Sequence, residues 1–152
     1  MAQRRQATNK FLVSLSLGVF VLKLDDAMIV GIGIDLIEIE RIRAVYTRHP
    51  QRFIDRLLTD AEKEYVLSHK DPTQRLAGRF AAKEAALKAL GTGLADGIRW
   101  KDVEILPDER GKPVLKLHEK AALQAQSIGA AILHVTITHS DTFAMAQVIL
   151  ER

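Results

Sequence analysis

The run RFAAKEAALKALGTG, residues 79–93, constrains this chain more than any other segment. It reads as a helix closed by glycines, and Ala77, Gly78, Ala81, Ala82, Ala85, Ala86 and Ala89 give it a thin profile. A helix this thin must lie close against other backbone, because it has too little side chain to fill a wider gap. At roughly 100° per residue, Leu76, Phe80 and Leu87 form one narrow ridge. Arg79 and Lys83 are i,i+4 neighbours on one flank of it, and Glu84 and Lys88 on the other. Those charges are either solvated flanks of a packing helix or one carboxylate among cations, which is what a site for a metal and phosphates needs.

Other readings fall away on composition. The 152 residues contain no cysteine, so disulfides, zinc–thiolate sites, iron–sulfur clusters and a thiol nucleophile are excluded, and a reducing cytoplasm is the expected setting. Aromatic residues make up 5% and the net charge is +3, which disfavours a base-stacking sheet and nucleic acid as the main partner. Residues 1–27 stand apart. A basic start with Arg4, Arg5 and Lys10 precedes a largely apolar stretch from Phe11 to Leu22, too short for a comfortable membrane span. We read 1–27 as an upstream extension, of the kind an early start codon or an expression tag adds, with a signal-like segment as the alternative. No membrane anchor is expected, and residues 28–152 form one domain.

Within that domain, Met28–Ile34 reads as a buried strand on which Gly31, Gly33 and Asp35 share a face. A helix from Leu36 to Pro50 follows, with Ile39, Ile42 and Tyr46 on one side and Arg41, Val45 and Arg48 on another. A second helix spans 53–69 with Thr59 and Asp60 as cap candidates, and Thr73 is a cap candidate for the helix that ends at Gly91. Strands are expected at 100–106 and 114–117 around a turn at 107–113. A short helix at 118–128 and two strands, 134–138 and 143–150, complete the chain. The order β-α-α-α-β-β-α-β-β specifies an α+β fold with a mostly antiparallel sheet.

The glycines of GIGID lack the third glycine of a dinucleotide fingerprint, since Leu36 stands there. Asp35 is then either a metal or phosphate position or a helix cap at a strand–helix junction. Asp35 and Glu84 with Arg79, Lys83 and Lys88 match what Mg²⁺ and phosphates demand, although periodicity alone does not bring the two carboxylates together. His139 either orients a phosphate or is structural. Gly111-Lys112-Pro113 is a turn or a ligand-facing loop. The Arg41–Val45–Arg48 stripe, with Arg52 nearby, is a solvated face or a docking strip for an acidic helix.

Together these segments resemble the short bacterial holo-[acyl-carrier-protein] synthases, a family of 4′-phosphopantetheinyl transferases. The matching blocks are GIGIDLIEIERI (31–42), FIDRLLTDAE (53–62) and RLAGRFAAKEAALKALGTGL (75–94), followed in order by WKDVEI (100–105), GKP (111–113), VTITHS (135–140) and AMAQV (144–148). The resemblance implies transfer of 4′-phosphopantetheine from coenzyme A to a serine of apo-acyl carrier protein, releasing adenosine 3′,5′-bisphosphate, for fatty acid biosynthesis. It implies Mg²⁺ held by Asp35 and Glu84, with Lys88 joining them in catalysis. Coenzyme A would be bound by Arg79, Lys83, Lys88, Gly91, Thr92, Pro113, His139 and Ser140. The carrier protein would dock on Arg41, Val45, Arg48 and Arg52, and the assembly would be a homotrimer with sites between subunits. A non-catalytic docking module and a small nucleotide hydrolase are the rival classes. The first leaves Asp35, Glu84 and Lys88 without a task.

Overall fold

The computed structural model describes residues 28–152, so the expectation for 1–27 lies outside the described residues. Among the described residues there are two antiparallel sheets and five α-helices. Strand β1 (Ile29–Glu38) leads to helices α1 (Ile39–Arg48), α2 (Pro50–Leu57), α3 (Asp60–Leu67) and α4 (Thr73–Leu90). The hairpin β2 (Val103–Pro107) and β3 (Pro113–Leu117), helix α5 (Glu119–Ser127), and strands β4 (Ile132–His139) and β5 (Phe143–Glu151) follow. The first sheet has the order β1-β5-β4, and β2-β3 forms the second. The α+β class and the antiparallel pairing agree with the sequence reading.

Four local expectations are corrected. The first strand runs on to Glu38, because Asp35 and Ile37 face inward while Leu36 and Glu38 face out, continuing the period-two pattern against β5. Asp35 therefore sits within the strand opposite Ala146, and the residue before α1 is Glu38, which makes no side-chain cap. The helix expected at 53–69 is two helices, since Leu58 is extended and Thr59 starts a new N-terminus. Thr73 is the first residue inside α4. Its backbone N–H donates to Asp71 Oδ1 at 2.9 Å. Residues 100–102 form a 3₁₀ turn before β2.

The thin helix packs as its composition demands. Ala81, Ala82 and Ala85 are fully buried, and α4 lies directly on β1 and β5. Gly31 and Gly33 are the receiving surface. A Cβ at Gly33 would collide with the Ala85 carbonyl oxygen, and one at Gly31 with that of Ala89. The glycines of GIGID thus serve a helix–strand contact at backbone distance. The opposite face of β1 is bare: Ile32, Ile34 and Leu36 are 57%, 52% and 60% exposed.

A buried ion pair ties this layer to the hairpin. Thr59 and Glu62 form a reciprocal capping box at the start of α3, with Thr59 N donating to Glu62 Oε2 at 2.8 Å. Glu62 Oε1 accepts from Ile105 N at 2.9 Å, and Glu62 Oε2 also accepts from Lys83 Nζ at 2.8 Å. The other Lys83 donors go to the carbonyl oxygens of Trp100, at 3.0 Å, and Val103. Both side chains are fully buried. Burial presses the Lys83 pKa down and the Glu62 charge opposes it.

Two stability predictions follow from these contacts. Gly33→Ala forces α4 off β1, and overpacking of this kind costs about 3 kcal/mol or more; urea denaturation should show the loss, and an unchanged midpoint would contradict the contact. Lys83→Met strands the Glu62 carboxylate in the core, a loss of about 3–5 kcal/mol. Lys83→Met with Glu62→Gln removes both charges and keeps one carbonyl acceptor, for the N–H of Ile105 or of Thr59. Thermal melts should therefore show the double variant more stable than Lys83→Met alone.

Candidate active site

Close packing of α4 on β1 brings Asp35 and Glu84 to the same place. They line one cavity of 400 Å³ together with Arg41 and Val45 of α1, Phe53 of α2 and Phe80 of α4. The convergence that periodicity could not deliver is produced by the two glycines, which let the helix approach the strand. The Asp35 side chain is mostly buried, 14% exposed. Lys88, one helical turn beyond Glu84, reaches across to it: Nζ lies 2.8 Å from Asp35 Oδ1 and 3.0 Å from the Ile34 carbonyl oxygen. Burial raises the Glu84 pKa, the Asp35 charge raises it further, and Lys88 pulls the other way. Two carboxylates that repel each other in one concave site form a donor set suited to a divalent cation.

The remaining cations divide. Lys83 has no donor left and no exposure, so the coenzyme contact expected of it is not available in this chain, because Glu62 and the backbone of the β2 entry hold it. Arg79 is 7% exposed and lies over the Tyr65 ring, 4.6 Å from its centroid. Its Nε has no hydrogen-bond partner among the described residues. Arg79 lines a second cavity, of 330 Å³, with Arg75, Gln74, Pro113 and His139. A buried guanidinium with an open donor, beside a second arginine and a histidine, is a place for an anion.

Of the sequence-expected coenzyme residues, Arg79, Pro113 and His139 line this second cavity, which shares no lining residue with the carboxylate cavity, whereas Lys88 reaches the carboxylates through its bond to Asp35. Five residues along α4 separate Arg79 from Glu84, which sets them about 140° apart around the axis. Gly91, with φ of 76°, and Thr92 form the turn that ends α4. The Ser140 hydroxyl accepts from the backbone N–H of Thr142 and Phe143, so it is engaged in the β4–β5 turn. Arg41, Val45 and Arg48 share the exposed side of α1, as the stripe predicted, and Arg52 stands on α2. Three features escaped the sequence reading: Phe53 and Phe80 as walls of the carboxylate cavity, Tyr65 and Arg75 beside Arg79, and the Lys88–Asp35 bond. Glu62 left a readable signal in the Thr59–Glu62 capping box, but nothing local paired it with Lys83.

Residues 31–146 match the model of the 4′-phosphopantetheinyl transferase superfamily. A holo-[acyl-carrier-protein] synthase of Natranaerobius thermophilus is 44% identical over 123 residues, covering 81% of this chain and 98% of that one. The crystal structure of a holo-(acyl-carrier-protein) synthase from Bacillus anthracis in complex with CoA (3′,5′-ADP) superposes with a TM-score of 0.69 at 42% identity, over 82% of this chain and 98% of that one. The Helicobacter pylori holo-[acyl-carrier-protein] synthase in complex with coenzyme A gives a TM-score of 0.68 at 30% identity, over 78% and 98% respectively. The α4–β1 cavity with its paired carboxylates thus belongs to a chain of the 4′-phosphopantetheinyl transferase superfamily, in its holo-[acyl-carrier-protein] synthase family.

Proposed function

We propose that this chain transfers 4′-phosphopantetheine from coenzyme A to a serine of apo-acyl carrier protein, giving the holo form and adenosine 3′,5′-bisphosphate. The observation that carries this reading is the meeting of Asp35 and Glu84 in a cavity whose other wall is the Arg41–Val45 face of α1. The carboxylates serve one substrate there, and the basic, partly apolar helix serves the other.

Asp35 and Glu84 would hold Mg²⁺, and the raised Glu84 pKa together with the shared cavity supports that fit. Such a cation supplies charge neutralisation on the phosphate oxygens as the bond to phosphorus is exchanged. The serine oxygen attacks the phosphorus that bears pantetheine, and the P–O bond to the departing nucleotide phosphate breaks. Lys88 stands one helical turn from Glu84, placed to take a pyrophosphate oxygen. The serine proton goes to water, because Glu84 is committed to the cation. On the carrier side, Arg41, Arg48 and Arg52 steer an acidic surface while Val45, 44% exposed, gives it an apolar anchor. Residues 28–152 carry the whole activity. Lack of cysteine and the coenzyme A donor favour the cytoplasm, and no described helix is long and apolar enough to cross a membrane.

The second cavity supports a homotrimer with sites between subunits. Arg79, Pro113 and His139 face away from the carboxylates of their own chain, so one coenzyme A is best served by the second cavity of one copy and the first of another. The bare face of β1, with Ile32, Ile34 and Leu36, gives such copies an apolar surface to join.

Incubating the protein with apo-acyl carrier protein, coenzyme A and Mg²⁺ should add about 340 Da, one phosphopantetheine, to the carrier. Asp35→Ala and Glu84→Ala should each lower the rate about a hundredfold or more. A substantial rate in both variants would overturn the paired-carboxylate site. Mixing Asp35→Ala with His139→Ala, each inactive alone, should recover up to about a quarter of wild-type activity after subunit exchange, since random mixing restores that share of shared sites. No recovery would place the complete site within one subunit.

A further inference from the structure

Lys88 is half exposed and free to keep its ammonium in water, as most surface lysines do. It instead folds back from α4 onto β1, bonding both Asp35 Oδ1 and the Ile34 carbonyl oxygen. It is the one cation bonded to Asp35 among the described residues. Nothing buries it there, so the negative pair of Asp35 and Glu84 is what draws it in.

We propose that the Lys88 ammonium is the resident substitute for the divalent cation at Asp35, and that the cation and coenzyme A load together because each needs Lys88 to leave. The inference rests on the metal reading given above. Its basis is steric and electrostatic. An ammonium 2.8 Å from Asp35 Oδ1 occupies one coordination position of that oxygen, and two cations on one carboxylate oxygen repel. The lysine stem has four flexible carbons and an open path to solvent, so the ammonium can swing off without disturbing α4. Leaving is unfavourable while its only alternative is water, and becomes favourable once a pyrophosphate offers new anionic oxygens. The metal then gains Asp35 at the moment the phosphates gain Lys88. Linkage requires the effect to be reciprocal: coenzyme A tightens the metal by the factor the metal tightens coenzyme A. Lys88 is then a positioning residue in the resting protein and a phosphate contact in the loaded one.

Calorimetric titration of the full chain with Mn²⁺, with and without saturating coenzyme A and with no carrier protein present, tests this directly. Lys88→Met should bind Mn²⁺ alone about tenfold more tightly than wild type, with a smaller gain on adding coenzyme A. Arg41→Gln removes one positive charge from the wall of the carboxylate cavity without touching Asp35, and should leave the Mn²⁺ affinity within about twofold of wild type. Unchanged affinity in Lys88→Met, or an equal rise in Arg41→Gln, overturns the substitution idea while leaving the metal site standing. Asp35→Asn separates the two failures: if it titrates like wild type with coenzyme A present, the metal reading itself is wrong and the inference falls with it.

Discussion

Backbone against backbone is the contact on which this molecule turns. Gly31 and Gly33 on β1 accept the carbonyl edge of α4 at Ala85 and Ala89, a separation that no residue with a Cβ permits at either glycine. Two consequences come from one approach. The alanine surface of α4 is fully buried without large side chains, and the carboxylates two residues beyond Gly33 and one residue before Ala85 are carried into the same cavity. Packing and chemistry are therefore not separate demands on this helix. The distance that seals the core is the distance that assembles the site.

Much of this was legible in the chain. The thinness of α4, its glycine stop, the antiparallel strands and the α+β class all follow from local pattern, and the structure repeats them. The candidate site residues Asp35 and Glu84 are nameable for their chemistry, and the family blocks set them in a chain that resembles a transferase. Their meeting was not readable, since 48 residues of chain and three helices lie between them. Lys83 shows the same limit more sharply. On the helix wheel it is a flank cation beside Arg79, and only the arrival of Glu62 from α3 makes its burial possible. A wheel orders residues around one axis and says nothing about which neighbour fills each sector.

Glycine carried a similar ambiguity. GIGID resembles a phosphate loop in composition, and the absent third glycine excludes that reading without supplying another. What the glycines do becomes visible only with α4 in place. The strand they sit in also outlasts the expected boundary, because the inward series Gly33, Asp35, Ile37 keeps its alternation past the point where a helical period begins. Overlap between the two periods, from Leu36 to Ile39, is where the boundary was misread.

The Glu62 carboxylate has one further consequence. Through its two oxygens it holds the first turn of α3, the edge of β2 at Ile105 and the middle of α4 at Lys83. Detaching any one of these elements exposes or strands a charge that the other two still enclose, so none can fray independently at low cost. Local opening in this region is then cooperative across segments distant in sequence. The amides of Thr59 and Ile105 would exchange with solvent in the same event, and the stretch of α4 around Lys83 and Glu84 would share their protection, held rigid by a residue that lines neither cavity.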